Sequence, residues 1–152
     1  MKIKIKNSQK HLKISKQLVA AQANAILSKE KIDCDEVIIY FVDDKKISKI
    51  HKKLFNNPSA TDTISIPYDR PSDRSLGYCF LGEVFISTET AKKYAAEHDI
   101  CPHLEATLYM IHGLLHLVGY DDISSKDRII MRKKEKSCMN LLKRLQLITV
   151  KK

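Results

Sequence analysis

The sequence predicts a single α/β domain of α+β character, in which helices pack around a small mixed β-sheet. Two observations support this fold class. Strand-like and helix-like segments alternate along 152 residues, and the composition is 43% hydrophobic and 30% charged, with only four Gly and four Pro. A chain of this length can bury a core of its own, so we expect residues 1–152 to form one domain.

The first elements can be placed from the spacing of apolar residues. Ile3 and Ile5 alternate with lysines, which is typical of a half-buried strand. Residues 15–29 contain no Gly or Pro and carry apolar residues at helical spacing, so they predict a helix. Residues 37–42 are a run of β-branched and aromatic residues, which predicts a central strand.

A second helix and a short strand follow. Asp43 or Asp44 can cap a helix that ends at residues 56–59, where Asn, Pro and Ser are concentrated. Residues 63–66 are strand-like, and Pro67 limits that strand because proline cannot donate a hydrogen bond to the sheet ladder.

A loop, a strand and a third helix come next. Residues 68–75 combine proline, serine and mixed charge, so they predict a surface loop. Residues 76–86 predict a strand that is interrupted at Gly82. Ser87 or Thr88 can cap a helix that runs to about residue 98.

The last part of the chain predicts two more helices. Pro102 marks a helix start, apolar residues follow at helical spacing, and Gly119 stops the helix. A basic last helix is expected over residues 125–145. The full order is strand, helix, strand, helix, strand, strand, helix, helix, helix, and no linker or repeat divides the chain.

The charge balance favours a polyanionic partner. The chain has 27 Lys and Arg against 18 Asp and Glu, a net charge of +9 and a pI near 9.4. Residues 126–152 hold ten basic and two acidic side chains. Nucleic acid is the commonest polyanion in a cytoplasm, although a basic surface also serves solubility.

The sequence also predicts a compartment and a redox state. No apolar run approaches the roughly 20 residues of a membrane span, and the N-terminus lacks the apolar block of a signal peptide. We therefore expect a cytoplasmic protein with no membrane partner. Without a C-x-x-C pair or an export signal, the cysteines are expected to be reduced rather than joined in disulfides or around zinc. They are Cys34, Cys79, Cys101 and Cys138.

Residues 112–122 carry the clearest chemical signal. His112 and His116 are four residues apart on a predicted helix, so both imidazoles share one face, one turn apart. Gly119 can turn the chain back, which allows Asp122 to complete a three-ligand metal site with a position left for water. A histidine on an apolar helix is more often a hydrogen-bonded core residue than a metal ligand. The prediction of a metal site therefore rests on the turn at Gly119 and on the carboxylate of Asp122.

Three segments carry a family resemblance. Residues 112–122, HGLLHLVGYDD, resemble the signature H-G-x-L-H-L-x-G-Y-D-H of the YbeY family, the bacterial rRNA maturation endoribonucleases. Residues 60–67, ATDTISIP, resemble its P-T-D-V-L-S-F-P segment, and residues 81–87, LGEVFIS, resemble its L-G-D-I-x-I-S strand. Met131 stands nine residues past the third ligand, as a methionine does in the family. Together these motifs cover roughly residues 37–131.

The resemblance implies a zincin-like H-x-x-x-H metal site on a helix, a Zn²⁺ cofactor and cleavage of single-stranded RNA. It implies 16S rRNA 3′-end maturation and ribosome quality control, with rRNA and the small ribosomal subunit and its proteins as partners. His112, His116 and Ser65 are then the expected catalytic residues, and His112, His116 and Asp122 the expected metal ligands. Ser65 can bind phosphate or be an ordinary strand hydroxyl, while Asp62 is expected to cap or orient a neighbour.

Two positions depart from the family pattern. The third ligand, a histidine in the family, is Asp122 here. Because two histidines and one carboxylate also suit Fe(II), Mn or Ni, the choice of metal widens beyond zinc. The neighbouring Asp121 matches the family and is expected to support the turn or the ligands. By count, Phe55 stands where the family has an Arg that would hold the scissile phosphate.

Alternative functions stay open at this point. The histidine spacing also matches metzincin proteases, but those enzymes need a Glu as general base where this chain has Gly113. A non-catalytic ribosome-assembly factor with a structural metal is the other alternative. For RNA capture we expect a positive groove lined by the basic residues of 126–136 and by Lys52 and Lys53, with Arg70 as another candidate phosphate donor.

Overall fold

The elements follow the predicted order. The computed structural model describes residues 1–72 and 77–148. They form β1 (Lys2–Asn7), α1 (Lys16–Lys29), β2 (Glu36–Val42), α2 (Asp44–Phe55), β3 (Thr63–Pro67), β4 (Phe80–Ser87), α3 (Thr88–His98), α4 (Pro102–Leu117) and α5 (Ser125–Arg144). The prediction of one α+β domain with a small mixed sheet is confirmed. The predicted strand start at residue 76 and the end of the predicted loop at 73–75 lie outside the described residues.

The sheet has four strands in the order β1-β2-β4-β3. The pairs β1–β2 and β2–β4 are parallel, whereas β3 runs antiparallel to β4 at the edge. The apolar strand β2 is therefore interior, as its run of β-branched residues predicts. The predicted interruption at Gly82 is a bulge within β4, because Glu36 pairs with Phe80 and Ile38 with Glu83, one residue out of step.

Local sequence signals set the helix ends. Four helices begin at a side chain that accepts a hydrogen bond from a backbone N–H of the first turn. These capping residues are Ser15, Asp43, Ser87 and Ser124. Helix α4 instead begins with Pro102, whose missing N–H costs nothing at that position. Asn56 ends α2 in a left-handed conformation, at the place where the sequence predicts a stop.

Helix α4 is the centre of the fold. It contacts α1, α3, α5, β3 and β4, and Ile111, Leu114 and Leu115 are fully buried along it. A helix that is packed on several sides has apolar residues on most of its faces, as α4 has. In the two described stretches of the chain, no helix combines the length and the apolar character that crossing a bilayer requires.

Gly113 allows α4 to approach the sheet closely. A Cβ atom at this position would lie 2.4 Å from Val84 Cγ1 and 2.9 Å from Thr63 Cγ2, so any larger residue would collide with β3 and β4. The Ser65 hydroxyl on β3 donates a hydrogen bond to the Gly113 carbonyl at 2.9 Å. The next turns of α4 are therefore held at a fixed distance from β3.

The expectation of reduced cysteines is wrong for one pair. Cys34 and Cys79 form a disulfide, while Cys101 and Cys138 are free thiols. Cys34 precedes β2 and Cys79 precedes β4, and these strands are parallel neighbours. The two strand starts lie side by side, with the Cα atoms 5.0 Å apart, although 45 residues separate them in sequence.

We expect Gly113→Ala to destabilise the domain, because the added methyl group collides with a stiff β-branched side chain. Overpacking of this kind costs about 1–3 kcal/mol, which outweighs the roughly 1 kcal/mol that alanine gains over glycine in a helix. Urea unfolding measures the free energy change. Val84→Ala removes the colliding Cγ1 atom, so the double variant should lose less stability than the sum of the single variants. A single Gly113→Ala variant as stable as the wild type would contradict this account of the packing.

Candidate metal centre

Helix α4 presents two imidazoles on one face. His112 and His116 are one turn apart, and their Nε2 atoms face each other at 3.0 Å, with the rings nearly perpendicular. Both side chains are partly buried, since only 20% and 26% of their surface is exposed. The spacing of four residues therefore produces the shared face that the sequence predicts.

The turn after α4 brings a carboxylate onto the same point. Gly119 has φ of +113°, a conformation that favours glycine, and it reverses the chain after the helix. Asp122 Oδ2 then lies 3.3 Å from His112 Nε2 and 3.5 Å from His116 Nε2. Asp121 supports the turn, because its Oδ1 accepts a hydrogen bond from the Asp122 backbone N–H at 2.8 Å.

The three donor atoms have the spacing that a small divalent cation needs. Bonds of about 2.0–2.1 Å in a tetrahedral arrangement place the ligand atoms about 3.3–3.4 Å apart. The distances within the set are 3.0, 3.3 and 3.5 Å, so the three side chains would fit such an ion after shifts of a few tenths of an ångström. Among the residues that the structure describes, His112, His116 and Asp122 form the group of His, Cys, Asp and Glu side chains able to hold a metal.

Glu135 on α5 orients the first histidine. Its Oε2 lies 2.7 Å from His112 Nδ1, so a proton on Nδ1 is donated to the carboxylate and the Nε2 lone pair points at the centre. In the sequence, Glu135 stands out only as one of two acidic residues in the basic segment 126–152. A signal is present, however, because Glu135 is buried on the same face of α5 as Met131, Cys138 and Leu142.

The contact between His112 and Glu135 shifts the pKa values of both side chains. Burial alone would lower the pKa of His112, but the hydrogen bond to Glu135 and the nearby carboxylates of Asp122 and Asp62 raise it above its usual value. Burial would raise the pKa of Glu135, but the hydrogen bonds from His112 and Arg132 hold it below its usual range. Glu135 is therefore an ionised, buried partner of the histidine.

Two cavities open beside the centre. The first, which we call the strand cavity, includes His51, Phe55, Thr63, Ser65 and Tyr120 in its walls and has a volume of about 650 Å³. The second, the helix cavity, includes Tyr94, Glu105, Tyr109, Arg132 and Glu135 and is also about 650 Å³. Both are lined by Thr61, Asp62, His112 and Asp122, so the candidate metal centre lies where they meet.

The remaining candidate residues lie around the strand cavity. The Ser65 hydroxyl already donates to Gly113, so it would have to leave that bond to donate to a phosphate. Asp62 is exposed, and its backbone carbonyl, rather than its carboxylate, accepts a hydrogen bond from the Ser87 N–H. Phe55 is 60% exposed at the cavity wall, where its ring meets the edge of His51, and it supplies no positive charge.

The walls are not the positive groove that the charge clustering predicts. Lys52, Lys53 and Arg70 do not line either cavity, and Arg132 is the one Lys or Arg among the described lining residues. The other formal charges are negative, from Asp62, Asp121, Asp122, Glu105 and Glu135. The lysines and arginines of the sequence therefore lie mostly outside the cavities.

The packing at Gly113 also disfavours the protease alternative. A metzincin general base would have to project from this position, where even a methyl group would meet Val84 and Thr63. The fold and the centre together define a zincin-like class of protein: a small α+β domain whose candidate metal donors come from an H-x-x-x-H helix and the turn that follows it.

Comparison with known proteins identifies the family within this class. The sequence profile described as "Endoribonuclease YbeY" matches residues 4–143. Two relatives named Endoribonuclease YbeY are similar along nearly their whole length. The protein of Protochlamydia amoebophila is 44% identical over 95% of both chains, and that of Chlamydia muridarum is 36% identical over 91% of this chain and 86% of its own. The chain belongs to the YbeY endoribonuclease family.

A solved structure agrees with the fold. The solution structure of TM1509 from Thermotoga maritima superposes with a TM-score of 0.66, covering 95% of this chain and 91% of that one. Its sequence is 23% identical, so the likeness concerns the architecture alone.

We expect Glu135→Gln to weaken metal binding by about 10–100-fold, because a neutral amide holds and polarises His112 less strongly than a carboxylate. Competition with a chromophoric chelator measures the affinity. Glu97→Gln, on the exposed surface of α3, is the matched control and should leave the affinity unchanged. Equal affinities in the two variants would show that Glu135 does not support the ligand.

Proposed function

We propose that this protein is a metal-dependent endoribonuclease that cleaves single-stranded RNA at the centre formed by His112, His116 and Asp122. The observation that carries the proposal is the convergence of three donor atoms within 3.0–3.5 Å of one another, at the junction of two open cavities. Zinc is the proposed metal, and the carboxylate ligand also makes Fe(II), Mn and Ni suitable.

The chemistry needs few groups beyond the ion. When bound, a divalent cation lowers the pKa of water and polarises a phosphoryl oxygen, which are the two requirements of phosphodiester hydrolysis. His112 and His116 would hold the ion through their Nε2 atoms, and the hydrogen bond to Glu135 at Nδ1 leaves the Nε2 atom of His112 facing the centre. We keep Ser65 as a candidate phosphate contact, since it lines the strand cavity beside both histidines.

The biological setting follows from the family. We propose that the substrate is rRNA, with 16S rRNA 3′-end maturation and ribosome quality control as the processes and the small ribosomal subunit and its proteins as partners. The net charge of +9 supports attraction to such a polyanion over distance. A cytoplasmic location accompanies this proposal, and residues 1–152 form the endoribonuclease domain.

We expect His112→Ala to reduce RNA cleavage by orders of magnitude, because both water activation and charge stabilisation depend on the ion. RNA affinity should change little, since lysines and arginines outside the centre supply most of the attraction to phosphate. Cleavage of a labelled single-stranded RNA and binding to the same strand measure the two effects. His103→Ala is the matched control on α4, because its ring lies outside both cavities and contacts the Lys13 carbonyl instead.

Two outcomes would contradict the catalytic assignment. One is an H112A protein that still cuts RNA at the wild-type rate. The other is a parallel loss of melting temperature, binding and activity, which would indicate a structural metal and favour the non-catalytic assembly role. Loss of wild-type activity with chelator, and its return with added Zn²⁺, shows that cleavage needs a metal, and loss of activity in H112A purified in the same way excludes a contaminating nuclease.

A further inference from the structure

Arg132 is the basic side chain that the cavities beside the candidate metal centre offer to the phosphate backbone of RNA. Arg132 is the single Lys or Arg among the described residues that line the two cavities, whereas five carboxylates line the same walls. An anionic strand that reaches the metal centre must approach these carboxylates. Arg132 is the protein cation within the cavities that can offset this repulsion at short range.

A chain of short contacts places Arg132 next to the metal centre. Its Nη1 donates to Glu135 Oε1, and the second oxygen of the same carboxylate lies 2.7 Å from His112 Nδ1. Glu135 thus holds the guanidinium and the imidazole on either side of one buried carboxylate. The Arg132 side chain is nevertheless 64% exposed, and the bond to Glu135 engages one of its five N–H donors.

The neighbouring basic side chain on α5 is committed elsewhere. Arg128 is one turn earlier, and its two terminal nitrogens donate to the Ile123 carbonyl and the Ser125 hydroxyl, which secures the start of the helix. Arg132 is fixed at one nitrogen by a buried partner and open at the others. A planar guanidinium held in this way can form two parallel hydrogen bonds to phosphate oxygens.

We propose that Arg132 binds a backbone phosphate of the RNA strand beside the metal centre and stabilises the charge that develops there during cleavage. This inference rests on the proposed nuclease function. It assigns to α5 the guanidinium that position 55 does not supply, because Phe55 has no charge. The strand then crosses from the strand cavity, over His112 and Asp122, into the helix cavity.

Arg132→Gln, Arg132→Lys and Arg144→Gln test the proposal in cleavage assays at saturating metal. Removing one positioned donor to a developing oxyanion costs about 10²–10³-fold in rate, and we expect a loss of about 10²-fold in kcat/KM for R132Q. R132K keeps the charge but loses the paired hydrogen bonds, so it should lie between R132Q and the wild type. Arg144 lies roughly 18 Å further along α5, and R144Q should cleave at the wild-type rate.

The salt dependence of binding separates a phosphate contact from support of Glu135. Each phosphate contact to a single strand contributes about 0.7 to the slope of log K against log salt. R132Q should therefore lower the magnitude of this slope by about 0.7 for a short single-stranded oligodeoxynucleotide, and R144Q should leave it unchanged. If Arg132 only supported Glu135, R132Q would weaken metal binding and leave the slope as it is.

Each result has one interpretation. If the salt slope of R132Q is unchanged, or if extra metal restores its cleavage rate, Arg132 does not bind phosphate. Either result leaves the nuclease function intact. Failure of the wild-type protein to cleave RNA overturns the proposed function, and the salt slopes still decide whether Arg132 binds phosphate. Melting temperatures check folding, and if R132Q is unfolded, the reduced cleavage rate expected of R132K carries the test.

Discussion

The close contact between α4 and strands β3 and β4 is the constraint on which the rest of the structure depends. At Gly113 the helix backbone touches the sheet, because no side chain separates them. This contact fixes the rotation of α4 about its axis, so His112 and His116 point away from the core towards α5 and the following turn. It also explains why the residue after His112 carries no side chain that could act in catalysis.

Much of the fold could be predicted because its signals are local. Capping side chains, Pro102 and Asn56 mark helix ends within a few residues of themselves, and apolar spacing gives the element order. The candidate donor set could be recognised for the same reason, since His112 and Asp122 are ten positions apart on one helix and its turn. When residues are close in sequence, the local geometry of the helix and the turn sets their relative positions.

The residues that sequence analysis missed depend on long-range packing. Glu135 reaches His112 only because α5 folds back against α4, and its place on the buried face of α5 is a weak sign when read alone. The Cys34–Cys79 pair depends on β2 and β4 being neighbours in the sheet, which no spacing in the sequence encodes. The interruption at Gly82 could be predicted, but its nature as a bulge becomes clear only from the same pairing information.

The charge of the chain and the charge of its centre have opposite signs. A net charge is a sum over the surface, and it attracts a polyanion over distances comparable with the Debye length of about 10 Å at 0.1 M salt. One of the three candidate donors is a carboxylate, and four further carboxylates line the cavity walls. Long-range attraction and local chemistry therefore come from different residues.

The sequence proximity of the ligands has a kinetic consequence. His112, His116 and Asp122 lie within eleven residues, on the last turns of α4 and the turn that follows it. An ion bound by all three would close only a short stretch of chain, and the entropy of loop closure would be small. None of the three ligands lies in the sheet. A local opening of residues 118–124 between α4 and α5 would release Asp122 from a bound ion, while the strands and the Gly113 contact stay in place. The residence time of such an ion would then depend on the local stability of this connection.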